Sequence, residues 1–294
     1  MTNEPLVTIL MNCYNGEKYL KDSLNSLISQ SYKNWELIFW DNQSNDRSKK
    51  IFDTFNDARL KYYKAQNHEK LYVARNQALS KAKGEYIAFL DVDDLWEPKK
   101  LEKQIKLFED QEVGLVYGNL WRLYNYPIFF KKKHVKKNLL RGFIFDNLLE
   151  DDFIGLSTIV LRKKYLKNFP NIFDEKYNML SDYDFILRFS KEVKFDFVNE
   201  PVSTYRIHKN NMSKKYLEEH VTQMNEWIKE RSEKNFFSSD TQIDKLKSHL
   251  EYLKIKLMIK KSRFIPTVRK IMEYPNFLIK IKLFIFLFFR KYFI

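Results

Sequence analysis

The chain has 294 residues, a formal net charge of +14 and one cysteine, Cys13. That length holds one sizeable α/β domain with additions, or two small domains, and a hydrophobic share of 44% excludes a disordered chain. A single cysteine excludes an internal disulfide and fits a reducing compartment.

No basic segment precedes the short apolar run Leu6 to Met11, so the N-terminus does not read as a signal peptide. Val7 to Met11 is continuously apolar, as expected of a strand buried on both faces. Tyr19 to Gln30 follows with Leu20, Leu24, Leu27 and Ile28 at helical spacing. A second strand is predicted over Glu36 to Trp40, a short helix over Ser48 to Phe55, and a third strand over Leu60 to Lys64. Val73 to Lys83 reads as a helix, with Gly84 as its C-terminal stop. Tyr86 to Leu90 is a fourth, apolar strand. Pro98 suits the first position of a helix running to about Glu109, and Gly114 to Tyr117 is a fifth strand. Repeated strand–helix–strand units argue for a doubly wound, mostly parallel sheet.

After about Asn119 the alternation is lost. Leu120 to Asn138 is aromatic and basic, with Lys131, Lys132 and Lys133 in a row, and reads as a solvated loop or an acceptor-phosphate contact. From Ser213 the pattern is helical and charged. Charge is concentrated at the end: Lys245 to Ile294 carries 13 basic and 2 acidic residues, leaving the first 244 residues near neutrality. A nucleic-acid binder more often carries its basic charge on the recognition domain, so no nucleic-acid partner is expected. A basic tail rich in Phe and Ile fits an anionic membrane surface instead. Packing on the main domain or on a second subunit is the alternative. No stretch is long and apolar enough to span a bilayer.

Polar groups gather where the strands end. Asn12, Tyr14 and Asn15 follow the first strand, Asp41 and Asn42 the second, and Asp91, Asp93 and Asp94 the fourth. Ligands of open α/β sheets bind outside the carboxyl ends of the strands. Neither a dinucleotide fingerprint nor a P-loop is present. Three carboxylates within Asp91 to Asp94 repel one another unless something positive sits among them. A divalent cation on hard oxygen ligands is one solution; a polar turn with Asp94 capping the next helix is the other. In Ser181-Asp182-Tyr183-Asp184 the carboxylates are either a general base for an acceptor hydroxyl or surface groups at a helix start. His208 follows in Tyr205-Arg206-Ile207-His208, and the remaining histidines show no metal-ligand spacing.

In order, these segments resemble the family 2 glycosyltransferases, the inverting group with the GT-A fold. Val7 to Asn15 looks like the family's opening strand and Y-N turn. Asp41 to Asp46 resembles its D-D-G-S-T-D loop, and Ala74-Arg75-Asn76 its A-R-N helix. Gly84 to Asp94 is similar to its metal-binding segment, Ser181 to Asp184 to the E-D-x-D segment, and Tyr205 to His208 to the late donor-closing segment. The resemblance implies a mixed, mostly parallel sheet flanked by helices over residues 1–212, with a nucleotide half 1–118 and an acceptor half 119–212. A helical basic extension over 213–294 completes the expected organisation. It also implies that Asn12, Tyr14, Asn15, Asp41, Asn42, Arg75 and Asp91 line the nucleotide of a nucleotide sugar, a UDP-sugar being favoured. Asp91 and Asp93, helped by His208, would hold Mg²⁺ or Mn²⁺, and Asp182 would be the base. A glycan or lipid-linked acceptor and a cytoplasmic, peripheral position on the inner membrane face follow. A related domain that binds without catalysis is the alternative. Three departures stand out: Asn42 replaces the second Asp of the D-D loop, no Gly precedes Ala74-Arg75-Asn76, and no Pro precedes Tyr14.

Overall fold

A computed structural model describes residues 4–124, 130–134, 139–150, 153–169, 171–208, 210–261 and 264–288. The Lys133 and Ser213 side chains, and Arg290 and Lys291 of the basic tail, lie outside the described residues. The chain divides into two compact units, the first Met1–Phe145 with Phe153–Ile207, the second Asp146–Asp152 with His208–Ile294.

The first unit opens with β1 (Val7–Cys13), whose apolar run is buried on both faces. α1 (Leu20–Ile28) turns Leu20, Leu24 and Leu27 inward, and β2 (Trp35–Asp41) is buried throughout. The elements α2 (Ser48–Phe52), β3 (Leu60–Lys64), α3 (Leu71–Leu79) and β4 (Tyr86–Phe89) follow. The two-residue β5 (Leu95–Trp96) precedes α4 (Lys100–Lys106). Then come β6 (Val113–Tyr124), β7 (Phe130–His134), α5 (Phe145–Glu150), β8 (Val160–Arg162), α6 (Ser181–Glu192) and β9 (Lys194–Ile207).

The sheet order is β3-β2-β1-β4-β8-β6-β9-β5, with β7 paired on β6. β3, β2, β1 and β4 are parallel, as the strand–helix alternation requires. The fifth predicted strand corrects that pattern. β6 does not pair with β4; the short β8 lies between them, antiparallel to both. β6 then pairs in parallel with β9 along most of its length. The sheet is therefore mixed, and its helices cover an apolar core that includes Val7, Ile9, Leu24, Leu37, Ala88, Leu101 and Val116.

Several local expectations change for identifiable reasons. Lys131 to Lys133 lie on β7, in register with β6, not in a loop. The Lys131 ammonium is held by Glu97 at 3.2 Å and lies 4.8 Å from the centre of the Trp121 ring. α3 ends at Leu79 on a right-handed Ser80, so Gly84 is no helix stop. Gly84 instead abuts β1, where an added Cβ would stand 2.6 Å from Leu6 O and Thr8 N. Its own N–H donates to Thr8 Oγ1, which in turn donates to the buried Glu36. β6 runs through position 118, so the expected divide between the two halves falls inside a strand.

The second unit is helical: α7 (Met212–Lys215), α8 (Leu217–Glu233), α9 (Asp240–Lys260), α10 (Phe264–Glu273) and α11 (Phe277–Phe288), joined by α5 residues. Gln242 donates to Asp146 at 2.7 Å and Lys245 pairs with Glu150 at 2.7 Å.

Candidate active site

The carboxyl ends of β1, β2 and β4 lie side by side, which gathers residues from three distant sequence segments. Asp41 is buried at the end of β2. One of its oxygens accepts the Tyr62 hydroxyl at 2.5 Å, the other the Ser44 N–H at 2.7 Å. The Ser44 hydroxyl accepts the N–H of Asn15, and the Asn15 side chain accepts the N–H of Asn45. Asn15 adopts a left-handed φ of 54°, a conformation Asn tolerates better than most residues. The loops after β1 and β2 are thus sewn together. Among the described residues, the Asn12 amide nitrogen is buried without a hydrogen-bond partner.

Asn42 behaves differently from an open base-reading group. Its Nδ2 donates to the Glu69 carbonyl at 2.7 Å, and its Oδ1 accepts the Glu69 N–H at 3.0 Å. Its own carbonyl accepts from His68 Nδ1 at 2.9 Å, since a carbonyl leaves the ring nitrogen only the donor role. The His68 ring lies 4.2 Å from that of Tyr14, which is half exposed. A cleft of about 510 Å³ opens beyond this loop, and none of the site carboxylates lines it.

At the end of β4, three contacts hold the acidic loop. Ser23 donates its hydroxyl to the Asp91 carbonyl at 3.2 Å. The Arg206 guanidinium donates to the Asp93 carbonyl at 3.0 Å and reaches Asp22 at 3.4 Å. The Arg206 N–H donates to Asp94 Oδ1 at 3.2 Å. Asp94 is buried, and that burial, with Asp93 and Asp91 adding to it, holds its carboxyl well above the usual range. It does not cap the next helix: β5 intervenes before α4 begins at Lys100. β5 pairs with β9 at Leu95 and Thr204, which brings Arg206 to the loop. The sequence offered Arg206 only as part of a motif, and nothing in its spacing to Asp93 signals the contact.

Arg75 links this loop to the second acidic motif. It is buried and forms an ion pair with Asp91 at 2.9 Å, while the Asp91 side chain stays 39% exposed. Its guanidinium packs near the Tyr72 and Phe173 rings. Asp182, half-buried at the start of α6, is an electrostatic neighbour of both Arg75 and Asp91. Burial pushes the Asp182 carboxyl up, while the Arg75 cation opposes that shift. Asp184, two residues on, is fully buried and paired with Arg188 at 2.7 Å. Arg188 also donates to the Ile172 carbonyl. The surface-carboxylate reading therefore fails for Asp184. Asn76 completes the frame, donating to the Phe173 carbonyl at 2.8 Å and accepting the Phe173 N–H.

The arrangement holds two half-exposed carboxylates, Asp91 and Asp93, on a hydrogen-bonded loop, with a third, Asp182, an electrostatic neighbour of Arg75 and Asp91. Among the described residues no three His, Cys, Asp or Glu side chains form a ready-made metal cage. His208 belongs to the second unit, where its N–H donates to Asn211. An edge of polar loops with one acidic pair suits a phosphate-bearing ligand that completes a cation's coordination shell.

The family model for glycosyl transferase family 2 matches residues 8–169. The chain belongs to this family. The family 2 assignment makes the chain a glycosyltransferase. Among its curated relatives is an Escherichia coli UDP-Glc:alpha-D-GlcNAc-diphosphoundecaprenol beta-1,3-glucosyltransferase, WfgD, 32% identical over 73% of this chain and 82% of the relative. A second E. coli enzyme with the same described activity, WfaP, is 30% identical over 75% of this chain and 84% of its own length. Solved structures with the same GT-A architecture include S. aureus TarS 1-349 in complex with UDP-GlcNAc, at TM-score 0.63 and 16% identity, covering 92% of this chain and 81% of that one. The mannosyltransferase PcManGT from Pyrobaculum calidifontis, with GDP-Man and Mn²⁺, aligns at TM-score 0.61 and 17% identity over 99% of this chain and 82% of that one.

Proposed function

We propose that this family 2 glycosyltransferase moves a sugar from a nucleotide-sugar donor, a UDP-sugar being favoured, to a hydroxyl of a glycan or lipid-linked acceptor in cell-surface polysaccharide synthesis. The observation that carries the reading is the buried Arg75, which pairs with Asp91 of the acidic loop and is an electrostatic neighbour of Asp182 on α6. This supports reading Asp91 as a donor-side and Asp182 as an acceptor-side carboxylate of one site. The described activities of the E. coli relatives support a lipid-linked acceptor.

Asn12, Tyr14, Asn15, Asp41 and Asn42 would frame the nucleotide, with Tyr14 offering its exposed ring and Asn12 its unpartnered amide. Asp93, with Asp91, would hold Mg²⁺ or Mn²⁺ against the donor diphosphate. The Mn²⁺ of the mannosyltransferase complex supports that assignment. Bound there, the cation supplies charge neutralisation for the departing nucleoside diphosphate. Arg206 keeps the loop backbone in place through the Asp93 carbonyl. Asp182 takes the proton from the acceptor hydroxyl as that oxygen attacks the anomeric carbon on the face opposite the leaving group, so one displacement inverts the centre. With acceptors of this kind the enzyme works peripherally at the inner face of the membrane.

Transfer assays on purified protein test the assignment. Asp182→Asn lowers turnover by ~10²–10⁴-fold, the usual worth of a general base, with donor affinity nearly unchanged. Asp93→Asn abolishes transfer while the thermal unfolding transition stays in place. Full activity in EDTA, or in either variant, overturns the corresponding role.

A further inference from the structure

The second unit ends in two helices whose apolar groups face both ways. α11 is apolar nearly all round apart from Lys280 and Lys282, a composition that suits a helix buried in protein or in lipid. One face is buried: Leu283 and Leu287 join Ile255, Ile259, Ile271 and Tyr274 in a small separate core. The other is open. Phe277, Leu278, Ile281, Ile285 and Phe288 are exposed, and their spacing of three and four residues sets them in one stripe.

α10 contributes Phe264, Ile265 and Met272, also exposed. The Phe264 and Phe288 rings meet edge-on at 6.3 Å, so the two stripes join into one surface. Scattered exposed apolar residues need no explanation, whereas a contiguous patch marks an interaction site.

Charge decides what covers it. Arg269, Lys270, Lys280 and Lys282 lie on the same two helices. Their one acidic residue, Glu273, is already paired with Arg269 at 3.1 Å and Lys270 at 3.2 Å. From Phe277 to Ile294 the sequence has no acidic residue. A two-fold contact through this face would bring both copies' Lys280 and Lys282 into one interface, and the one acidic residue of these helices, Glu273, is already taken. Anionic lipid has the opposite charge and an apolar interior. Among the described residues, no helix is long and apolar enough to span a membrane.

We propose that the joined outer face of α10 and α11 lies in the interfacial layer of an anionic membrane, apolar stripe toward the acyl chains and lysines at the headgroups. This gives the peripheral placement proposed above a specific surface, and it rests on the acceptor reading for its biological setting alone.

The test is co-sedimentation of the full chain with vesicles of phosphatidylcholine, or of phosphatidylcholine mixed with phosphatidylglycerol. The protein is expected to sediment with the mixed vesicles and not with phosphatidylcholine alone. Ile281→Glu with Ile285→Glu weakens that partitioning at least roughly tenfold, because charge enters the apolar stripe. Should that pair disturb folding, Phe277→Ser with Leu278→Ser decides, since both positions are exposed at the helix start. Indifference to lipid charge, or variants that bind like the parent, overturns the proposal. So does a dimer in light scattering that the same substitutions dissociate, which assigns the face to a second copy. Transfer to a water-soluble acceptor separates the two readings: vesicle binding without any transfer by the parent protein removes the acceptor reading and leaves this one standing.

Discussion

The strand-end region of the first unit and the terminal helices of the second break the usual burial rule in opposite directions. The first buries polar groups: Asp41, Asn42, Arg75, Asp94 and Arg206 are all buried. The second exposes apolar ones along α10 and α11. Burying a polar group costs free energy unless it is hydrogen-bonded, and the bonds at Asp41, Asn42 and Arg75 meet that cost within the fold. A contiguous exposed apolar face has no such remedy among the described residues and marks an interaction site. The first region satisfies its polar groups within the fold; the second leaves an apolar face for the membrane contact proposed above.

That contrast can be broken by substitution, most severely where burial is deepest. Asp184→Ala removes the fully buried partner of Arg188 and is expected to cost ~3–5 kcal/mol of stability in calorimetry. Turnover per folded molecule should survive. A stable Asp184→Ala without activity would move the base role away from Asp182.

Next in size is Arg75→Met. The Asp91 side chain is partly exposed, so the loss is discounted to ~2–3 kcal/mol. The pH profile carries the sharper signature. Asp182 must be ionised to act as base, and burial already raises its carboxyl. The acid limb of the rate profile should therefore lie above that of an ordinary aspartate. Without the Arg75 cation, protonation becomes easier still, and the limb moves further toward neutral pH. An unmoved limb would separate Arg75 from the base.

A smaller effect is expected at Asn42. In Asn42→Asp an oxygen replaces the Nδ2 that donates to the Glu69 carbonyl, so two acceptors face each other. The expected loss is ~1–3 kcal/mol by denaturant titration. If inhibition by UDP and GDP shifts while stability does not, the position reads the base directly.

The smallest effect tests the other side of the comparison. Ile281→Ser lies on the exposed stripe and should change stability by less than ~0.5 kcal/mol in the absence of lipid. A loss as large as that of a core substitution would mean the stripe is packed in solution.

The strands β1, β2 and β4 and their parallel order were legible because each is a short, mostly apolar run with helical periodicity between. β5 and β8 were not: two and three residues carry no periodicity, and their place depends on pairing with β9, β4 and β6. The site residues were legible as residue types at strand ends. Their partners were not. Arg206 reaches Asp93 and Asp94 across more than a hundred residues, a contact that only the mixed sheet creates. Asn42 read as a ligand group because its type allows it, while its bonds to the Glu69 main chain leave no trace in the sequence.

Those two bonds also bear on how the chain drifts over generations. Asn42 grips the backbone of residue 69, not its carboxylate. Position 42 is therefore held to a side chain with both a donor and an acceptor, while position 69 is free to change to anything that keeps its N–H, proline excluded. Among related sequences that share this loop, variety at 69 should coexist with constancy at 42. A covariation search looking for a matched pair of side chains would miss the link.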